Sequence, residues 1–133
     1  MKKAVDFDKT LAKFEWEGDD KYDPGKVGEP IPKMVDRVRG WLAQGYEVVI
    51  LTARVWSGHE PSEIAISRKA IEEFCMENFG QKLEVTSEKS PHIDFIYDDK
   101  AIRVEANTGR LIGCTEDGEI LGDGIGSIFR DEF

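Results

Sequence analysis

The chain has 133 residues, a hydrophobic fraction of 40% and a formal net charge of −9. That length suits one ordinary domain with a core of its own, so the fold needs neither a disulfide nor a structural metal. A surface this acidic repels nucleic-acid backbones, and no Lys/Arg cluster overrides it, so duplex nucleic acid is not an expected partner.

The start, MKKAVDFD, carries two lysines but no apolar signal core. No apolar run approaches the roughly 20 residues of a membrane span. The expectation is a soluble, cytoplasmic protein without a membrane partner. KKAVD, residues 2–6, reads as a short strand ending at Asp6, with Asp8 and Thr10 just beyond it. Residues 11–31 hold Gly18-Asp19-Asp20, Asp23-Pro24-Gly25, Gly28 and Pro30. So many turn formers predict a loop or small flap rather than a second domain.

A helix is predicted from about Pro32, a residue suited to the first helical position, to Ala43. Met34, Val35, Val38, Trp41 and Leu42 line one face of it, and Gly45 stops it. YEVVILTA, 46–53, follows, and its unbroken apolar run Val48 to Leu51 suits a strand covered on both faces. The loop RVWSGHE leads to a long helix from about Pro61 to Asn78, ended by Gly80. A short strand at Leu83–Thr86 and the apolar segment IDFIYDD, 93–99, complete the alternation.

Strands alternating with helices predict an open α/β parallel sheet, whose ligands bind beyond the carboxyl ends of its strands. The final residues change character. AIRVEA, RLIGCT and EILG are strand-like pieces, separated by Asn107-Thr108-Gly109 and Asp117-Gly118. They read as an antiparallel meander, followed by a tail with Gly122, Gly124 and Gly126 that ends in SIFRDEF. Cys75 reads as a buried apolar residue. A disulfide to Cys114 is open on sequence grounds, though a reducing compartment argues against it.

Four polar signals fall at the ends of four successive strands: Asp6 with Asp8, Thr52 with Arg54, Lys89, and Asp98 with Asp99. In a parallel sheet those ends converge. Close carboxylates repel unless a cation neutralises them. Mg²⁺ takes oxygen ligands and often combines one or two carboxylates with substrate phosphate. Asp6 and Asp98 are the candidate carboxylates, with Thr52 and Lys89 facing phosphate.

DFDKT (6–10), VVILTAR (48–54), SEKSP (87–91) and FIYDD (95–99) stand in the order and spacing of a known motif set. Together they resemble the haloacid dehalogenase-like (HAD) superfamily of phosphohydrolases, over roughly residues 2–105. The stretch from LTAR to DDKAI looks like the small, capless members found in phage and bacterial genomes. The resemblance implies a three-layer, Rossmann-like open sheet within a single domain, 1–133. Its core would span 1–105, with a C-terminal β extension over 106–133.

The resemblance further implies a Mg²⁺-dependent phosphatase that hydrolyses a phosphomonoester through an aspartyl-phosphate. Asp6 would be the nucleophile. Asp8 would protonate the leaving oxygen and then activate water. Thr52 would hold a phosphoryl oxygen, and Lys89 would pair with Asp6 and phosphate. The metal would sit on Asp6, the carbonyl of Asp8, and Asp98, with Asp99 nearby or bound through water. Thr10 is expected to hold the loop through a hydroxyl bond.

Plainer readings stand beside these. The acids could form a solvated strand end, Thr52 could cap a loop, and Lys89 competes with Lys82 and Lys100. Arg54 either contacts substrate or pairs with an acidic neighbour. His59 and His92 show no partner in the sequence. Trp16 and Trp56 lie on loops that should overhang the site, where they either stack on a base or pack the flap down.

Two departures from the family pattern matter. The gaps at 11–31 and 55–81 leave no room for a cap domain, so the site should be open. An open site suits a large substrate, or a small phosphorylated molecule if a homo-oligomer closes the entrance. The C-terminal meander has no counterpart in the motif set. Competing functions are a nucleotide or polynucleotide-end phosphatase, a phospho-accepting receiver, and a catalytically silent scaffold. Receivers carry their acceptor aspartate on a middle strand, whereas here the paired acids open the chain.

Overall fold

The computed structural model describes residues 1–14 and 22–115, which fall in two compact units, Met1–Asp99 and Lys100–Phe133. The first is an α/β fold on a four-stranded parallel sheet. In chain order it contains β1 (Lys2–Val5), α1 (Pro32–Ala43), β2 (Glu47–Leu51), a 3₁₀ turn (Ala53–Val55), α2 (Pro61–Phe79), β3 (Glu84–Thr86) and β4 (Phe95–Tyr97). The sheet order is β3-β2-β1-β4. The chain thus builds outward from β1 through β2 to β3, then returns to add β4 on the other side of β1.

The apolar run in β2 behaves as its continuity predicts. Val48, Val49 and Ile50 are all buried, as are Ala4 and Val5 on β1. Successive strand residues point to opposite faces, so both faces of this central pair are covered. The register sets Val5 against Ile50 and against Tyr97, which brings the residues after β1, β2 and β4 to one end of the sheet. β4 differs: Phe95 and Ile96, on opposite faces, are 39% and 38% exposed.

Both helices start at the prolines and stop where glycine permits a left-handed turn. α1 begins at Pro32 and buries Val35, Val38 and Trp41. Gly45 follows with φ +83°. α2 begins at Pro61, buries Ser67, Ile71, Phe74 and Cys75, and ends at Gly80 with φ +71°, whose amide bonds to the Met76 carbonyl. Phe7 lies fully buried and meets Phe74 edge-on, ring centroids 5.0 Å apart. That contact ties the loop after β1 to α2. Burying a side chain of this size contributes on the order of 2–3 kcal/mol.

The first loop is held at its base. The Lys13 amide bonds to the Glu29 carbonyl and the Ile31 amide to the Leu11 carbonyl, at 2.8 and 2.9 Å. The two limbs run so close that a Cβ on Gly28 would fall 1.6 Å from the Lys13 carbonyl oxygen. Glycine is therefore required there by space, not by turn conformation.

Lys3 was not singled out by the sequence. It is buried, and its ammonium lies 4.6 Å from the Trp41 ring centroid and 5.3–5.5 Å from those of Tyr46, Phe95 and Tyr97. It also donates to the Tyr97 hydroxyl at 3.1 Å. Ring faces carry negative potential, so the rings replace much of the water that the charge gives up.

In the second unit, β5 (Arg103–Val104) and β6 (Leu111–Ile112) pair antiparallel. Asn107 and Gly109, both at positive φ, turn the chain between them. The Glu105–Arg110 ion pair closes the hairpin. The strands are much shorter than AIRVEA and RLIGCT suggested. EILG, Asp117-Gly118 and the glycine-rich tail lie outside the described residues. Cys75 and Cys114 are both free thiols, so no disulfide joins them. No described helix is long and apolar enough to cross a membrane.

Candidate functional site

The sheet order places a reversal between β1 and β4. In open α/β sheets, such a point leaves a crevice at the strand carboxyl ends, because the connections on its two sides diverge. Asp6 leaves β1 at this point, and Asp98 and Asp99 leave β4 beside it. The Asp6 amide bonds to the Tyr97 carbonyl at 2.9 Å, which fixes their separation.

One carboxylate oxygen from each of Asp6, Asp98 and Asp99 lies within 4.8 Å of the others. Burial, a hydrogen-bonding contact with Asp99 and the negative charge of Asp98 push the Asp6 carboxyl up from 3.8 to about 7. The Phe7 amide works in the opposite direction. Near neutral pH the group therefore sits between its two protonation states, and a nearby cation would favour the ionised one.

The loop after β1 winds tightly around one carbonyl. The amides of Thr10, Leu11 and Ala12 all bond to the Phe7 carbonyl, at 3.3, 2.9 and 3.0 Å. Lys9 takes up a left-handed φ of +69° to allow it. This winding brings Thr10 back over the acids. Its hydroxyl lies 3.3 Å from Asp99 Oδ1 and 3.5 Å from Asp6 Oδ2, so one proton serves two carboxylates. The loop-holding bond expected of Thr10 goes to the acids themselves.

Asp8 points elsewhere and meets Arg54. The guanidinium donates from Nε to Asp8 Oδ2 at 2.7 Å and from Nη2 to Oδ1 at 2.9 Å. Arg54 is 5% exposed. The pairing with an acidic neighbour, one of the two readings of Arg54, is present. Thr52 is buried and follows β2, and its Oγ1 accepts from the Arg54 amide at 3.2 Å. It thus caps the short turn that presents Arg54.

Lys89 lies on the loop after β3 and is exposed. Among the described residues, no hydrogen bond or ion pair joins it to Asp6. β3 stands two strands from β1, roughly 10 Å away at ~4.8 Å per strand. Lys82, the competitor of Lys89, pairs with Glu72 at 3.6 Å instead. Lys100 belongs to the second unit.

The remaining loop residues gain partners that the sequence did not reveal. His59 stacks on Tyr22 with centroids 6.1 Å apart and meets Trp56 edge-on at 5.5 Å. Its Nε2 lies 3.1 Å from the Ala53 carbonyl oxygen. Trp56 crosses so near Gly58 that a Cβ there would fall 2.2 Å from the ring, yet Trp56 stays 56% exposed. The His92 amide bonds to Ser90 Oγ at 3.2 Å. Trp16 lies outside the described residues.

The chain is similar to a solved structure described as the conserved protein coded by locus from Bacteroides thetaiotaomicron. The two share 20% identity and a TM-score of 0.51 over 76% of this chain and 77% of that one. At this identity the likeness speaks for the fold alone. No family model and no curated protein matches the chain.

Proposed function

We propose that this protein is a Mg²⁺-dependent phosphatase of the HAD-like type, acting on a phosphomonoester of a small molecule. The observation that carries the reading is the meeting of Asp6, Asp98 and Asp99 within 4.8 Å where the strand order reverses. Three oxygen donors in so small a space are the kind of set a hard divalent cation takes, and the same acids are costly to hold together without one.

In this reading Asp6, Asp98 and Asp99 hold the ion, joined by the backbone carbonyl of Asp8. The bound ion would supply charge neutralisation for the phosphoryl group. Asp6 attacks phosphorus: a bond forms from its carboxylate oxygen, and the bond to the ester oxygen breaks. Asp8 gives that oxygen a proton, then takes one from the water that hydrolyses the aspartyl-phosphate. Thr52 offers its hydroxyl to a phosphoryl oxygen. Lys89 is assigned to the incoming phosphate. Thr10 keeps Asp6 and Asp99 oriented. The exposed ring of Trp56 gives a second reading some support, namely a nucleotide or polynucleotide-end substrate whose base stacks there.

The test is a screen of the full chain with Mg²⁺ against metabolite monoesters and a 3′-phosphorylated oligonucleotide. Phosphate release is expected, with Asp6→Asn at least ~10³-fold slower. Full activity in that variant would remove Asp6 as the nucleophile.

A further inference from the structure

We infer that Arg54 is a positioning residue, which fixes the orientation of Asp8 and clasps the returning limb of the first loop to it. The catalytic half of this inference rests on the phosphatase reading; the clasp does not.

The guanidinium serves two parts of the chain at once. Nε and Nη2 take both oxygens of Asp8, at 2.7 and 2.9 Å. Nη1 donates to the Pro24 carbonyl at 3.3 Å. Its Cζ lies 5.8 Å from the Phe7 ring centroid and 5.7 Å from that of Tyr22. The planar fork of arginine matches a carboxylate in two places, and so sets the direction of Asp8 as well as its distance. Lysine supplies a point charge without that direction.

A second donor meets the same carbonyl. Ser67 Oγ, fully buried on α2, bonds to the Pro24 carbonyl at 3.0 Å and lies 3.2 Å from the Tyr22 hydroxyl. The limb around Tyr22–Pro24 is therefore fastened to α2 by Ser67 and to Asp8 by Arg54. Loss of Ser67 would loosen the limb alone, whereas loss of Arg54 would loosen the limb and Asp8 together. Asp8 is still able to act, because its side chain is 26% exposed and each carboxylate oxygen keeps a second lone pair.

The two roles differ in a measurable way. A residue that acts through Asp8 matters most where the leaving oxygen needs a proton. An alkyl phosphate needs one; p-nitrophenyl phosphate, with its stable leaving anion, scarcely does. A residue that binds phosphate directly would affect both substrates alike, chiefly through KM.

The experiment compares wild type, Arg54→Met, Arg54→Lys, Ser67→Ala and Asp8→Asn, all as full chains with Mg²⁺. Each is assayed on p-nitrophenyl phosphate and on the best alkyl phosphate of the screen. Amide hydrogen exchange is followed at Gly25 and Lys26.

Arg54→Met is expected to lower kcat/KM, which reports the steps up to departure of the leaving group and not the shared hydrolysis of the aspartyl-phosphate, at least ~10-fold more on the alkyl phosphate than on p-nitrophenyl phosphate, in the pattern of Asp8→Asn. Arg54→Lys should fall between, and it carries the comparison if the methionine variant does not fold. Ser67→Ala should speed exchange without any preference between substrates. Equal losses on both substrates, or a rise in KM alone, would overturn the positioning of Asp8. Unchanged exchange in Arg54→Met would overturn the clasp. If wild type hydrolyses no monoester, the phosphatase reading and the catalytic half fall together, while the exchange arm still decides the clasp.

Discussion

Replacing Asp6 by Asn removes one charge from the acidic cluster while nearly keeping its shape. Burial, the contact with Asp99 and the charge of Asp98 push the Asp6 carboxyl up from 3.8 to about 7. The folded protein therefore keeps a proton that the unfolded chain gives up between about pH 4 and pH 7. The stability this group contributes is fully present below about pH 4 and is lost as the pH rises through about 7. At about 1.4 kcal/mol per unit, the shift corresponds to at most about 4 kcal/mol. Asp6 is only partly buried and water screens the cluster, so about 2 kcal/mol is the expected effect.

For a domain of this size, that corresponds to about 8 °C in Tm. Thermal unfolding with a chelator present should show Asp6→Asn matching wild type near pH 4 and exceeding it by about 8 °C at pH 8. Mg²⁺ at pH 8 should then raise the Tm of wild type and leave the variant almost unmoved. A variant no more stable than wild type at pH 8 without metal would refute the account of the cluster as a strained set of charges.

Two other substitutions test supporting contacts. Lys3→Met keeps an apolar stem of similar length but removes the charge from among four rings and the bond to Tyr97. Urea unfolding should register a loss of about 1–2 kcal/mol, and an unchanged midpoint would show that packing of the stem suffices. Thr10→Val removes the hydroxyl shared by Asp6 and Asp99. Calorimetric titration with Mg²⁺ should show affinity about 10-fold weaker, as expected for a group that orients metal ligands, and an unchanged Kd would deny Thr10 that role.

Much of the sheet is legible along the chain because its causes are local. A run such as Val48 to Leu51 has no polar face to expose, so it goes to the middle of a parallel sheet. Pro32 and Pro61 open helices, and Gly45 and Gly80 end them, for reasons that involve only neighbouring backbone. The acids at 6, 98 and 99 are legible as strand ends, and the parallel order then brings them together.

Pairings across the fold are another matter. Arg54 and Asp8 stand 46 positions apart, and only the packing of the turn after β2 against the loop after β1 joins them. Lys3 reads as a solvated lysine until α1 and β4 bring rings around it. His59 reads as a lone loop histidine until Tyr22 and Trp56 arrive. Lys89 shows the reverse limit: its place after a strand is readable, but the two-strand offset from Asp6 depends on the order in the sheet. The hairpin of Arg103–Ile112 shows a turn correctly placed between Asn107 and Gly109, with strands too short for their composition to foretell.

The position of β4 also sets when the cluster can exist. β1 lies in the interior of the sheet and needs a neighbour on each side, and one of these comes from the far end of the unit. Thr10 and Asp99, which meet through a hydrogen bond, are separated by 89 positions. Closing so long a stretch carries an entropic cost that nearer contacts do not. A nascent chain on the ribosome can therefore form the β1–β2 pair early, but it gathers its three acids only once residue 99 has emerged.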